Sequence, residues 1–287
     1  MSVQKIAVIG GGTMGSGIAL TAATHGIQAV IIDINDDQLA RAKTYHESQV
    51  SRSVQKERMT KEEGDASLSL LSYVSSMQDG CDADWSVEAA TENVDIKKTI
   101  FAQMADTFGD TVVLATNTSS ISITELASAI PEAANRVVGM HFFNPVPVMK
   151  LVEVIKGKET SDETIEATLS LAESMGKIPV PAEDFAGFVS NRVLMPMINE
   201  AFHAWEDGVA IPEDIDSIMK LGCAFPMGPL RLADYIGLDV CRDIMMVMYS
   251  GLDENPKYLP NKKLIELVEQ GKLGDKSGQG VYSYGEG

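Results

Sequence analysis

The stretch Lys5-Ile-Ala-Val-Ile-Gly-Gly-Gly-Thr-Met-Gly15 decides the fold. Its apolar run reads as a buried strand, and Gly10, Gly12 and Gly15 form a Gly-x-Gly-x-x-Gly element around Thr13 and Met14. Each glycine has its own task. The first ends the strand in a tight turn, the second lets backbone approach a pyrophosphate, and the third lets the next helix pack closely on the strand. The first amides of that helix then face the phosphates. Three glycines alone could mark an ordinary turn, so the context decides. The helical stretch closes at His25-Gly26, where glycine serves as a C-cap, and a second strand, Ala29 to Asp33, ends in an acid. That acid lies about twenty residues past Gly15, where a carboxylate accepts both adenosine ribose hydroxyls. Its charge repels a 2'-phosphate, so NAD is expected over NADP.

Outward from this unit the chain alternates strands and helices. Val87 to Thr91, Val112 to Thr116 and Val137 to His141 are short apolar runs suited to a buried parallel sheet. Leu151 to Ile155 and Ile178 to Pro181 extend it, the second confined by Pro179 and Pro181 to an edge or a terminal position. After Ala182 the texture becomes helical. Phe188 to His203 has helical spacing with Pro196 inside it, which predicts a kink or a local break. Pro212 to Leu221, Leu230 to Tyr249 and Asn261 to Gln270 are further helices, and Val281 to Tyr284 is a late strand candidate. The expected architecture is α/β: a Rossmann-type doubly wound sheet over 1–185, followed by an all-helical domain over 186–287.

Composition narrows the function. A net charge of −18 argues against nucleic acid and anionic membrane surfaces. No apolar run approaches membrane-spanning length, and the first strand begins too early for a targeting segment, so a cytoplasmic protein is expected. Cys81, Cys223 and Cys241 are widely spaced, without a zinc or disulfide pattern. Against the acidic background, Arg41, Lys43, Arg52, Lys56, Arg58 and Lys61 outnumber Glu47 and Glu57 across one segment. This is either a solvated helix face or a landing strip for a polyanionic small molecule.

Three polar clusters stand out, the first two at strand ends, where an open parallel sheet forms its binding crevice. Thr116-Asn-Thr-Ser-Ser120 is the first, with helix capping as its alternative use. His141-Phe-Phe-Asn-Pro145 is the second. His141 alone of the four histidines holds such a position, and imidazole is suited to take a hydroxyl proton as hydride leaves. In the third, Leu151-Val-Glu-Val-Ile155, Glu153 interrupts an apolar strand. A buried lone carboxylate costs several kcal/mol, so Glu153 either pairs with His141 or faces water.

Taken in order, Gly10-Gly-Gly-Thr-Met-Gly-Ser-Gly-Ile-Ala19, Asn117-Thr-Ser-Ser120, Met140-His-Phe-Phe-Asn-Pro145, Lys150-Leu-Val-Glu-Val154, Gly187-Phe-Val-Ser-Asn-Arg192 and Met227-Gly-Pro-Leu230 resemble the L-3-hydroxyacyl-CoA dehydrogenase family. The likeness runs to Leu273-Gly-Asp-Lys-Ser-Gly-Gln-Gly280 and is strongest with its short bacterial 3-hydroxybutyryl-CoA enzymes. It implies NAD-dependent, reversible oxidation of an (S)-3-hydroxyacyl-CoA between two domains. By motif, His141 is the general base and Glu153 its orienting acid, while Ser119 and Asn191 hold the reacting oxygen and thioester carbonyl. The implied cofactor contacts are Gly10, Gly12, Thr13, Met14, Gly15, Asp33, Glu92, Lys97, Asn117 and Asn144, with Glu92 and Lys97 near the nicotinamide half. Lys56 resembles a CoA-phosphate contact.

The resemblance also implies a homodimer through the helical domain, for which Met195, Met197, Met219, Met245, Met246 and Met248 could supply either a face or plain core. The chain departs from the family at Asp275 and Gln279, where a basic residue is common. Two rival readings are a dehydrogenase of free hydroxy acids, which would not need Lys56, and a dinucleotide sensor without turnover.

Overall fold

The computed structural model describes residues 3–285. The chain divides into two compact units, the first ending at Asp184 and the second beginning at Phe185.

The first unit is built on one eight-stranded sheet: β1 (Lys5–Ile9), β2 (Gln28–Ile32), β3 (Leu71–Val74), β4 (Trp85–Glu88), β5 (Val113–Thr116), β6 (Val137–Phe142), β7 (Leu151–Lys156) and β8 (Ile178–Glu183). The order is β3-β2-β1-β4-β5-β6-β7-β8. Six strands run parallel, β7 turns back antiparallel to β6, and β8 runs parallel to β7. The direction of winding reverses between β1 and β4, which makes their carboxyl ends the switch point where ligands bind. Strands β1, β2, β4 and β5 are buried almost throughout, as a sheet covered on both faces requires. The covering helices are α1 (Thr13–Thr24), α2 (Asp36–Gln55), α3 (Lys61–Ser69), α4 (Val94–Thr107), α5 (Ile123–Ala127) and α6 (Asp162–Ser174).

The second unit packs five helices around its own core: α7 (Ser190–Glu206), α8 (Pro212–Gly222), α9 (Pro229–Ile236), α10 (Leu238–Gly251) and α11 (Lys262–Glu269). Pro212 and Pro229 open their helices, where a missing N–H costs nothing.

Several sequence expectations need correction. Leu71–Val74 is a strand that the reading missed; it is a half-exposed edge of four residues with little periodicity to announce it. The strand expected over Val87–Thr91 ends at Glu88, because the Glu88 carboxylate accepts from the Ala90 amide and turns the chain out of the sheet. The local break offered as one outcome at Pro196 does not occur, since α7 continues through it. The single helix expected from Leu230 to Tyr249 is split at Gly237, whose φ of +107° no helix tolerates. Val281 to Tyr284 is not a strand: it is held by the Asp234 carboxylate and by local backbone bonds to Gly278 and Gly280, with one isolated bridge between Gln279 and Ser283. Of the six methionines, Met195, Met245 and Met248 are helical-unit core, while Met246 is exposed. Pro179 and Pro181 do sit on an edge strand.

Candidate active site

The glycine turn leaves β1 at the switch point. Gly10 has φ +107° and lies so close to β4 that a Cβ there would come within 2.6 Å of the Ala89 carbonyl oxygen. A Cβ on Gly15 would come within 1.9 Å of the Gly10 oxygen, so helix and turn touch through bare backbone. Gly12 is different: a Cβ on it would meet nothing within 4 Å, and it caps α1 without any side-chain hydrogen bond. Side chains of Asn35, Thr60, Asn93, Ser122 and Ser161 cap α2 to α6, so α1 alone among them leaves its first-turn amides to a ligand. Thr13 is exposed and Met14 half-buried in that turn. Asp33, just past β2, accepts from the Gly11 amide at 2.8 Å and from the Asn35 amide at 2.9 Å, and remains partly exposed. A pyrophosphate at Gly12 and a ribose at Asp33 fit this arrangement.

Two carboxylates organise the ends of β4 and β5. Glu88 is wholly buried; it pairs with Lys97 of α4 and accepts from the Thr116 hydroxyl at 2.7 Å. Lys97 also lies 3.7 Å from Glu92. One Glu92 oxygen accepts from the Thr118 hydroxyl at 2.7 Å, the Ser119 amide at 3.0 Å, and the Ser119 and Ser120 hydroxyls at 3.2 and 2.9 Å. The Thr116–Ser120 turn is therefore wrapped around Glu92. It does not cap the next helix, a task that falls to Ser122. Asn117 accepts from the Phe142 amide at 2.9 Å and so ties this turn to the end of β6.

His141 and Glu153 face each other in the antiparallel register of β6 and β7, and Nδ1 lies 2.7 Å from Oε2. Both are buried, which settles the open question about Glu153 in favour of the pair. An ionised carboxylate only accepts, so Nδ1 is the ring nitrogen that donates in this pair. The Phe143 ring lies 4.5 Å from the imidazole, and Asn144 follows it on an exposed loop.

Two further predicted residues lie on helices. Lys56 is the exposed C-cap of α2, inside the basic stretch. Asn191 is buried in the first turn of α7, in the second unit.

Sequence reasoning missed Glu88, Lys177 and Asp184. Glu88 carried the same signal as Glu153, an acid in a buried strand. Asp184 accepts from the Ser122 hydroxyl and the Ile123 and Thr124 amides, and so anchors the last residue of the first unit to the start of α5. No local pattern foretells a bond across sixty residues of chain.

A switch-point glycine turn, an acid on the second strand and a buried His–Glu pair at a strand end define a dinucleotide-dependent oxidoreductase. Its family follows from comparison. Residues 5–185 match the model for 3-hydroxyacyl-CoA dehydrogenase, NAD binding domain, and residues 187–284 the model for 3-hydroxyacyl-CoA dehydrogenase, C-terminal domain. The chain is 46% identical to a probable 3-hydroxybutyryl-CoA dehydrogenase of Bacillus subtilis, over 100% of this chain and 99% of that one. It is 47% identical to another of Deinococcus radiodurans, over 98% and 100%. The crystal structure of (S)-3-hydroxybutyryl-CoA dehydrogenase from Ralstonia eutropha superposes with a TM-score of 0.96 at 44% identity, covering 99% of this chain and 100% of that one. The chain belongs to the 3-hydroxyacyl-CoA dehydrogenase family, and its cofactor is NAD. Among the described residues no helix is long and apolar enough to cross a membrane, and no group of three or more His, Cys, Asp or Glu could hold a metal ion.

Proposed function

We propose that the chain interconverts an (S)-3-hydroxyacyl-CoA, 3-hydroxybutyryl-CoA first among them, and the corresponding 3-ketoacyl-CoA. The observation that carries this reading is the buried 2.7 Å contact between His141 Nδ1 and Glu153 Oε2.

Bound NAD supplies the hydride acceptor in oxidation and, as NADH, the donor in reduction. His141 Nε2 takes the 3-hydroxyl proton during oxidation and returns it to the carbonyl oxygen in reduction. Glu153 fixes the imidazole tautomer and stabilises the imidazolium that forms. Ser119, held by Glu92, orients the substrate oxygen, and Asn191 binds the thioester end. Gly10, Gly12, Thr13, Met14 and Gly15 hold the pyrophosphate and Asp33 the adenosine ribose. Glu92, Lys97, Asn117 and Asn144 serve the nicotinamide half, and Lys56 with its basic neighbours the CoA phosphates. The second unit supplies a homodimer contact, and the protein works in the cytoplasm.

The test is loss of NADH absorbance with acetoacetyl-CoA, run beside NADPH and beside free acetoacetate. The expected result is rapid oxidation that needs both NADH and the CoA ester. Turnover of free acids alone would replace this reading with a hydroxy-acid dehydrogenase, and no turnover would leave a dinucleotide-binding protein.

A further inference from the structure

Lys177 sits between α6 and β8, is only 7% exposed, and has no part in the chemistry above. Its ammonium donates to the carbonyl oxygens of Val146 at 2.5 Å and Met149 at 2.8 Å. Both acceptors belong to the loop that follows β6, in which Phe143 packs on His141 and Asn144 is exposed. Within the loop, the Val148 and Met149 amides turn back onto the Pro145 carbonyl. Just beyond it, the Ile178 amide donates to the Lys150 carbonyl at 2.8 Å.

The far side of the loop rests on the cofactor helix. Val146 is 2% exposed, and a Cβ on Gly17 of α1 would come within 2.8 Å of the Val146 Cβ. The loop is thus gripped between α1, whose first turn forms the phosphate site, and a buried ammonium. An ammonium is an expensive filler. Burial lowers the Lys177 pKa, and an unbranched apolar side chain would pack the same space without the desolvation penalty. What it offers in return is several donors on one atom, able to hold two carbonyls that converge.

We propose that Lys177 is a positioning residue for the nicotinamide half of the cofactor, acting through the Phe143–Met149 loop. The proposal rests on the reading of Asn144 and His141 given above. Released from Lys177, the loop keeps its length and its contact with α1, but Asn144 and Phe143 lose their fixed height over the site. Displacements of about 1 Å at such a place cost on the order of a hundredfold in rate. The adenosine half, held at Gly12 and Asp33, is not touched.

The experiment compares the parent with Lys177→Met and Lys177→Arg, measuring dissociation constants for NADH and for ADP, thermal midpoint, and turnover of acetoacetyl-CoA. ADP reports the adenosine half alone. In the Met variant ADP affinity is expected to stay within about twofold, NADH affinity to fall about tenfold and kcat about a hundredfold. Arg, which restores the donors, is expected to recover part of both losses. Parallel loss of ADP and NADH binding, or a lower thermal midpoint with the NADH-to-ADP ratio unchanged, would overturn the proposal. Should the Met variant not fold, the same ratio is read on Lys177→Gln, which reaches one carbonyl at most; an unchanged ratio there overturns it equally. Because the ratio needs no substrate, a parent inactive on acetoacetyl-CoA would remove the proposed function and leave this test intact.

Discussion

His141 and Glu153 occupy directly opposed positions on the only antiparallel pair among the described strands. Reversal of β7 brings the carboxylate to the imidazole; in a parallel continuation the next strand would enter from the opposite end of the sheet. Backbone pairing therefore fixes the geometry of the His141–Glu153 pair, and side-chain packing only refines it. His141→Ala is expected to lower kcat by about 10² to 10⁴ with little change in the NADH dissociation constant. Glu153→Gln keeps an acceptor but loses the charge, and should cost at least about tenfold in kcat. Steady-state kinetics beside NADH titration checks both. Wild-type turnover in His141→Ala would remove His141 as the base.

Asp33 holds the glycine turn through the Gly11 amide while its partly exposed side looks outward. On the proposed role of Asp33, Asp33→Ser removes the repulsion toward a 2'-phosphate and the acceptor for the ribose hydroxyls together. The kcat/KM ratio of NADH over NADPH is expected to fall by about tenfold or more, from losses with NADH and gains with NADPH. An unchanged ratio would place cofactor choice on another residue.

Gly12 and Gly15 are separable by substitution. Gly15→Ala drives a methyl into the Gly10 carbonyl, so urea denaturation should show a loss of about 2 kcal/mol or more, along with loss of NADH binding. Gly12→Ala meets no protein atom and should stay within about 1 kcal/mol of the parent. On the proposed pyrophosphate site its methyl stands where the phosphates come close, so NADH affinity should still fall about tenfold or more. Parent-like NADH binding by Gly12→Ala would move the phosphates elsewhere.

The contrast among these residues explains what a sequence can disclose. The glycine turn, Asp33 and the His141 strand are local patterns at strand ends, and a short continuous apolar run with a terminal glycine or polar residue makes them visible. Glu153 was visible as an acid in an apolar strand, but its partner became certain only with the β6–β7 register. Glu88 gave the same signal and was passed over. Lys177 and Asp184 could not be read, since their acceptors and donors lie far along the chain and are largely backbone groups, which carry no residue identity. Gly237 was legible as a helix breaker, yet apolar spacing on both sides concealed the break.

His46 gives the fold a dependence on pH. It is completely buried on α2, with Nε2 2.8 Å from the Ser16 carbonyl and Nδ1 2.7 Å from the Tyr73 hydroxyl. The carbonyl requires a proton on Nε2, so the neutral ring accepts from Tyr73, whose own pKa burial pushes up to about 12. Burial lowers the His46 pKa despite the Ser16 bond. The unfolded chain thus binds this proton more readily, and the stability His46 contributes is complete above its ordinary value near 6.5. It is lost as pH falls through that value toward the lower folded one. Urea midpoints at pH 7.5 and pH 5 should differ less in His46→Phe than in the parent; equal differences would show that His46 does not contribute.

Asp234 secures the end of the second unit. It is 1% exposed and accepts from the Val281 and Tyr282 amides, both at 2.9 Å, and from the Tyr284 hydroxyl at 2.7 Å. Burial, reinforced by that hydrogen bond, pushes the Tyr284 pKa well up, so the phenol remains a donor across the neutral range. Asp216 works beside it, accepting from the Tyr282 hydroxyl and from the first amides of α9. Two carboxylates thus hold the segment from Val281 to Tyr284, for which the sequence suggests a strand. Asp234→Ala strands three donors, and a loss of about 3 kcal/mol is expected in urea denaturation of the full chain. Asp234→Asn, which keeps the acceptor oxygen but loses the charge, should lose less. NADH affinity at 25 °C should be unchanged in both, because every proposed cofactor contact lies in the first unit. A fall in NADH affinity without a fall in stability would show instead that the tail of the second unit governs the cofactor site.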